Sequence, residues 1–393
     1  MTKRAIGLSV LLTVITALSA FTQNAYLESN IGQTPNQNSV YAYSTINSMG
    51  LVTPITGSPF LTGGTGLFTS NPLLAPGFMS DEALVTNAAR TLLFAVNGHT
   101  NTISSFSIQS DGSLVLVSSA SSGGQDPASL ALDEKSLAGT QLSVVNQAQD
   151  PSQTGGVPNL ASFLVSSSGV LTPVAQSTVN FPTQSVPFQA VASPSGKFLF
   201  TVQSNSGGAL TSYSIGAGGK FVLNNSLSPT LGSHFMGIVV HPTQRVIYVA
   251  APDTHLIEIY TYNTQGVLAL HGSVNNPGQG VGWLAVSPIG YRLYSAEPDS
   301  NSVSVYDIYE SKYLKPVLLQ NLTLKPGGSA TNIKASASGV FVYVLGLDQT
   351  GTGGSYLHVL NTNGVNATLI EATSPVLIPE PPGEIPTGLA ITY

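Results

Sequence analysis

A unit of roughly 46–49 residues recurs along most of this chain, and no other property constrains its fold so tightly. One copy starts at Phe188-Gln-Ala-Val-Ala-Ser-Pro-Ser-Gly and runs on to Leu210-Thr-Ser-Tyr-Ser-Ile. A second reads Met236-Gly-Ile-Val-Val-His-Pro and then Ile257-Glu-Ile-Tyr-Thr-Tyr. A third reads Trp283-Leu-Ala-Val-Ser-Pro-Ile-Gly and then Val303-Ser-Val-Tyr-Asp-Ile. The Ser-Pro or His-Pro step marks the register at Ser193, His241 and Ser287, and a degenerate form follows at Ser336. Looser copies precede these around Asn87 and Asp133. The long interval after Asp133 is explained by an insertion, Asn146 to Pro158, rich in Gln, Asp, Pro and Gly, which reads as a surface loop.

Each unit parses into four strands. A short apolar strand leads through a Pro-x-Gly type turn, where proline fixes φ and glycine accepts a positive φ. A second strand rich in β-branched and aromatic residues follows, as in Ile247-Tyr-Val-Ala. A polar loop leads to an alternating third strand, and a glycine turn to an outer one. This is the blade of a β-propeller, which buries its two faces only by packing against neighbouring blades. Six complete units fall at about 79–122, 127–180, 187–230, 235–276, 282–323 and 328–375. Residues 25–60 supply three further strands without an inner one. The C-terminal Gly388-Leu-Ala-Ile-Thr-Tyr reads as an inner strand with no blade after it. The expected fold is therefore all-β: a seven-bladed propeller of four-stranded antiparallel blades, closed by three N-terminal strands and one C-terminal strand.

Composition narrows the function classes. Only 8% of residues are charged, and the 12 Lys and Arg form no cluster, so a nucleic-acid surface is not expected. With no cysteine, disulfides, thiolate chemistry and cysteine-bound metals are excluded. Lys3 and Arg4, the apolar stretch Ala5 to Ala17 and the small residues of Ala17-Leu18-Ser19 read as a signal peptide over residues 1–20. Residues 21–393 then form one propeller domain, secreted or periplasmic, monomeric and with no membrane span after cleavage.

In a propeller the loops leading into the inner strands and those joining second to third strands share one face, here the loop face, where function is expected. The latter loops include Asn97-Gly-His99-Thr-Asn101, Ala251-Pro-Asp253-Thr-His255, Glu297-Pro-Asp299-Ser-Asn301 and Asp348. The former include Asp81-Glu82, Asp126, Gly232-Ser-His234-Phe235, Gln279 and Glu384. His99, His234, Asp253, His255, Glu297, Asp299 and Asp348 are the candidate ligand-binding residues, with His234, Glu297 and Asp299 the candidates for catalysis. Trp283, the only tryptophan, joins them as a flat surface at the start of an inner strand; packing between blades is its other reading. No metal motif is present and no cofactor is expected, although loop oxygens are of the type that hold Ca²⁺. Gly216-Ala-Gly-Gly-Lys220 lacks the rest of a phosphate loop and reads as a hairpin turn.

The run of inner strand, Ser-Pro-x-Gly, Leu/Phe-Tyr-Val and Val-x-Val-Tyr resembles the seven-bladed lactonase family, which includes propeller-type 6-phosphogluconolactonases and fungal muconate-cyclising enzymes. The resemblance implies an active site on the loop face built from a His, a Glu and arginines on inner strands. One family motif places an Arg-His pair ahead of a strand ending in His-Pro; the ending is kept as His241-Pro242, but the pair is Met236-Gly237. Another, Ala-Glu-x-Arg before Ser-Pro-x-Gly, keeps Ser287-Pro-Ile-Gly290, while Trp283 and Ala285 replace Glu and Arg. The expected function is thus an exported lactonase-like binding or interaction module with a degenerate site. Its partner would be a small molecule, a carbohydrate or a protein on the loop face. The alternatives are a sugar-lactone hydrolase using loop-face His, Glu and Asp or a bound cation, and a structural cell-surface protein.

Overall fold

Each repeat unit folds as one antiparallel sheet, and seven such sheets form a ring. The computed structural model describes residues 23–45, 50–67, 80–204, 208–230, 233–325, 328–347, 354–363, 368–371, 375–382 and 384–392. We number the blades by the units above. Blade 1 runs Leu84–Thr86, Leu92–Asn97, Thr102–Ile108, Leu114–Ser121, and blade 2 runs Pro127–Asp133, Gln141–Asn146, Asn159–Val165, Leu171–Pro173. Blades 3 to 6 begin at Val186–Ala192, Ile238–Val240, Trp283–Val286 and Ser329–Ala335 and repeat the order. The seventh is composite: the C-terminal strand Thr387–Ile391 lies innermost, followed outward by Gln23–Glu28, Ser39–Thr45 and Val52–Pro54. Its closing ladder pairs Ala25 with Ile391, Tyr26 with Ala390 and Leu27 with Leu389. The expected seven-bladed architecture and closure are both present. Blades 2, 6 and 7 add a short fifth strand on the third, at Val179–Asn180, Val376–Leu377 and Phe60–Leu61, which the repeat does not reveal.

The inner strands touch in cyclic order, so the ring closes at its axis. Bridges between blades reinforce it. Leu130 N–H donates to Glu82 O, Ala190 N–H to Ser129 Oγ, Ile238 N–H to Gln189 Oε1 and Gly237 N–H to Gly282 O, at 2.8–3.1 Å. Between the blades lies an apolar core; the largest cluster runs from Phe188 through Phe200, Phe235, Trp283 and Tyr294 to Ile333. In blades 1, 3, 4 and 5 the third strand carries a register shift just before a buried aromatic (Phe106, Tyr213, Tyr260, Tyr306). Such a bulge adds twist, which lets successive blades fan around an axis.

Candidate functional site

The loop face is built from a recurring turn. Pro252–Thr254 and Pro298–Ser300 are single 3₁₀ turns, each closed by a residue in the left-handed region, His255 (φ 52°) and Asn301 (φ 44°). Asn101 (φ 58°) takes the same place in blade 1. Each of these three carbonyls receives an N–H from the outgoing linker: Ser122 to Asn101, Asn276 to His255 and Leu324 to Asn301, at 2.8–2.9 Å. Asn, Asp and His tolerate this conformation best among non-glycine residues. The turn thus accounts for His255 through its backbone, and its side chain stays exposed.

Glu297, a catalytic candidate from the sequence, is sealed in the core at 0% exposure. Its Oε1 accepts from Asn276 Nδ2 (2.9 Å) and Ser295 Oγ (2.5 Å), and its Oε2 from Ser302 Oγ (2.7 Å) and Asn321 Nδ2 (3.3 Å). Burial pushes its pKa up despite these donors. The same latch recurs where a second strand ends. Asn97 accepts from Thr62 Oγ1 (2.5 Å), and Asn146 donates to Ser122 O (3.2 Å). In each case the partner sits on the linker from the preceding blade, two residues before a glycine (Gly64, Gly124, Gly278) packed on the latch side chain. A β-carbon at Gly278 would lie 2.4 Å from Glu297 Cγ. Glu297 therefore ties blade 4 to blade 5. Asp299, two residues on, is exposed and lies against Gly280.

The positions where the resemblance implies catalytic polar groups are closed. Trp283 is 2% exposed and packed in the core among Phe235, Met236 and Tyr294. A β-carbon at Gly237 would lie 2.4 Å from Gly282 O and 3.0 Å from Trp283 Cε3. Position 237 has no room for an imidazole while Trp283 occupies its place, so the two replacements fit each other. Of the two readings of Trp283, the burial accords with packing between blades.

Among the described residues, two histidine–carboxylate dyads on the loop face keep a partly exposed imidazole. His99 Nδ1 lies 2.8 Å from Asp150 Oδ2, with Asp150 buried and His99 about half exposed. Ser152 Oγ donates to Asp150 Oδ1 (2.6 Å), and Gln153 Nε2 donates to Asp150 Oδ2 (2.8 Å) and to His99 O (2.6 Å). Burial raises the Asp150 pKa, but the hydrogen bonds from Ser152, His99 and Gln153 outweigh it and hold the group below its ordinary value. An ionised carboxylate at Nδ1 fixes the tautomer that leaves Nε2 with its lone pair, the arrangement of a general base. Ser152 shares the Nδ1 side with Asp150, so the three do not form a nucleophilic triad. The second dyad joins His234 Nδ1 to Asp253 Oδ2 at 2.6 Å, and His234 N–H donates to the same oxygen (3.0 Å). Burial raises the Asp253 pKa, but the bonds from His234 bring it below its ordinary value. The first dyad spans blades 1 and 2 and the second stands on blade 4, with blade 3 between them. His99 and Asp253 thus keep acid–base partners that no spacing rule reveals. Asp150 comes from the insertion read as a plain surface loop; its own side chain is buried, and only the His99 position hinted at a site.

Beside the first dyad, Asp126 is 1% exposed, and burial, with the nearby charge of Asp150, pushes its pKa from 3.8 up to about 7. The folded protein therefore keeps this proton across a window in which the unfolded chain has lost it. Stability contributed here falls as pH rises from about 4 to about 7. Asp126→Asn is expected to flatten the melting temperature against pH over that window, read from thermal melts at pH 4.5 and 7.5. Equal slopes in both proteins would remove Asp126 as their source. Nearer the axis, Lys334 on the inner strand of blade 6 pairs with Asp81 (3.0 Å) and with Glu82. Asp81 also accepts from Asn332 Nδ2 (3.1 Å). Glu384 is taken up by the backbone N–H groups of Gly32 and Gln33 (3.0 and 2.9 Å). Asp348 lies outside the described residues. Among the described residues no three acids or histidines converge as a metal-ligand set. Gly216 N–H bonds Lys220 O (3.0 Å) within a hairpin, as expected of that segment.

Comparison with known proteins places this architecture. Residues 152–346 match the family model of the lactonase seven-bladed β-propeller. A 6-phosphogluconolactonase of Pectobacterium atrosepticum is 32% identical over 142 residues, which is 34% of this chain and 42% of that protein. The chain thus spans under half the length of the curated relative it matches. A periplasmic gluconolactonase structure from Pseudomonas aeruginosa superposes with a TM-score of 0.71 at 17% identity, covering 94% of this chain and 99% of that one. A candidate 6-phosphogluconolactonase structure from Bacteroides fragilis gives 0.71 at 15% identity, covering 95% and 99%. At these identities the two structures speak for the fold alone.

Proposed function

We propose that this chain, a lactonase-like seven-bladed propeller, is an exported binding module whose ring-opening chemistry has been lost and whose loop face receives a small polar ligand or a partner. The observation that carries this reading is the sealed pair Gly237 and Trp283. Opening a lactone needs a base or metal-bound water and donors for the developing oxyanion. At the positions where the resemblance implies them, a glycine and a buried tryptophan stand instead. The basic start and apolar stretch of residues 3–17 support export.

The His99–Asp150 dyad favours a second reading, hydrolysis at a rebuilt site. There His99 Nε2 would take a proton from water while the water oxygen attacks the lactone carbonyl. The ring C–O bond then breaks, and the leaving alkoxide takes the proton from the imidazolium.

Purified protein incubated with a panel of sugar lactones, with and without calcium and chelator, separates the two. Acid release at the spontaneous rate, together with a rise in melting temperature for a bound ligand, is expected. Turnover that disappears in His99→Ala or His234→Ala would establish the hydrolase instead.

A further inference from the structure

The face opposite the loop face carries two adjoining cavities. They lie among the turns joining first to second and third to fourth strands of blades 3, 4 and 5, and Thr243 and Gln244 form a wall common to both. Their volumes are about 320 and 350 Å³, each within the range of ligand pockets. We infer that together they form a groove for an acidic oligosaccharide of the uronic acid type, a site separate from the loop face.

One end is aromatic. Tyr291 and Tyr309 are 44% and 41% exposed, with ring centroids 4.4 Å apart at 67°, and Ile289 beside them is 64% exposed. An amphipathic ring that remains exposed offers an apolar face for the C–H side of a sugar and a hydroxyl for its edge. This end belongs to a segment that differs from its equivalents in blades 1 to 4. The third-to-fourth connection of blade 5 is longer, and it contains the 3₁₀ turn Glu310–Leu314.

The segment is braced without any ligand. Asp307 accepts from Arg292 (2.9 Å), Lys312 (2.6 Å) and Tyr309 N–H (3.0 Å). Tyr248 Oη donates to Tyr313 O (2.8 Å), and the Tyr313 ring packs edge-on to His241 at 5.8 Å. Such bracing lowers the ordering cost of binding. Glu310, on the rim, has φ 56°, a conformation unfavourable for a non-glycine residue, and strain of this kind concentrates at ligand sites. Its carboxylate is an acceptor for sugar hydroxyls.

The other end is cationic. Lys197 and Arg245 line the first cavity, both are exposed, and neither takes part in an ion pair among the described residues. In a chain with only 12 Lys and Arg, two cations facing one cavity suit a carboxylate-bearing unit.

The test is calorimetric titration of the full-length protein with trigalacturonate and, as the uncharged comparison, maltotriose. Trigalacturonate is expected to bind more tightly. Both Tyr291→Ala/Tyr309→Ala and Lys197→Ala/Arg245→Ala should weaken it by about tenfold or more, and His99→Ala should leave it unchanged. These side chains are exposed, so circular dichroism should show the variants folded. No trigalacturonate binding by the wild type would overturn the inference, as would equal affinity in folded variants. Binding lost in His99→Ala would move the ligand to the loop face, and maltotriose binding as well as trigalacturonate would remove the acidic class.

Discussion

Deletion of residues 386–393 is expected to abolish cooperative folding, an effect far beyond what eight residues of surface chain would have. The deleted segment contains the whole inner strand of blade 7, whose residues are all buried. Leu389 and Ile391 alone contribute roughly 1.5–3 kcal/mol each in burial. The remaining cost is larger in kind. Without this strand the edge of Gln23–Glu28 loses its partner, and the inner strands of blades 6 and 1 lose the element between them. A domain with a net stability of roughly 5–15 kcal/mol does not absorb that loss. The expected outcome is an insoluble or molten product with no thermal transition. A truncated protein melting within a few degrees of the full chain would disprove the closure.

Glu297→Leu is expected to destabilise by about 3–5 kcal/mol, because it strands buried donors. Four donor groups converge on that carboxylate; Asn276 reaches it from the linker that leaves blade 4, and Asn321 from the outer strand of blade 5 itself. Exposed Asp299→Ala should stay within about 0.5 kcal/mol of wild type. Urea denaturation of the three proteins decides the matter. An unchanged midpoint for Glu297→Leu, with ligand binding lost, would return Glu297 to the functional residues.

The fold could be read from residue order because blade grammar is local. Alternation, Pro-x-Gly turns and the unpaired Gly388-Leu-Ala-Ile stretch each leave a mark within ten residues. The site could not be read this way. His99 and Asp150 meet across blades 1 and 2, and nothing in either neighbourhood announces the other. Glu297 and His255 drew attention because charge and imidazole are scarce here, yet the first holds a linker and the second closes a turn. Both belong to repeats in the framework, disguised by chemistry: Asn97, Asn146 and Glu297 do one job, as do Asn101, His255 and Asn301. The groove was missed for a different reason. Its aromatic residues lie on the face where turns usually only reverse the chain.

The antiparallel pairing of Ala25 with Ile391 has a mechanical consequence. Both chain directions leave this ladder at the same end, so tension applied between the two termini peels it one residue pair at a time instead of shearing all pairs together. The ring would resist heat through its many interblade contacts and yet open readily when pulled at both ends. Tethered by one end alone, it would carry its load elsewhere and keep the seam shut.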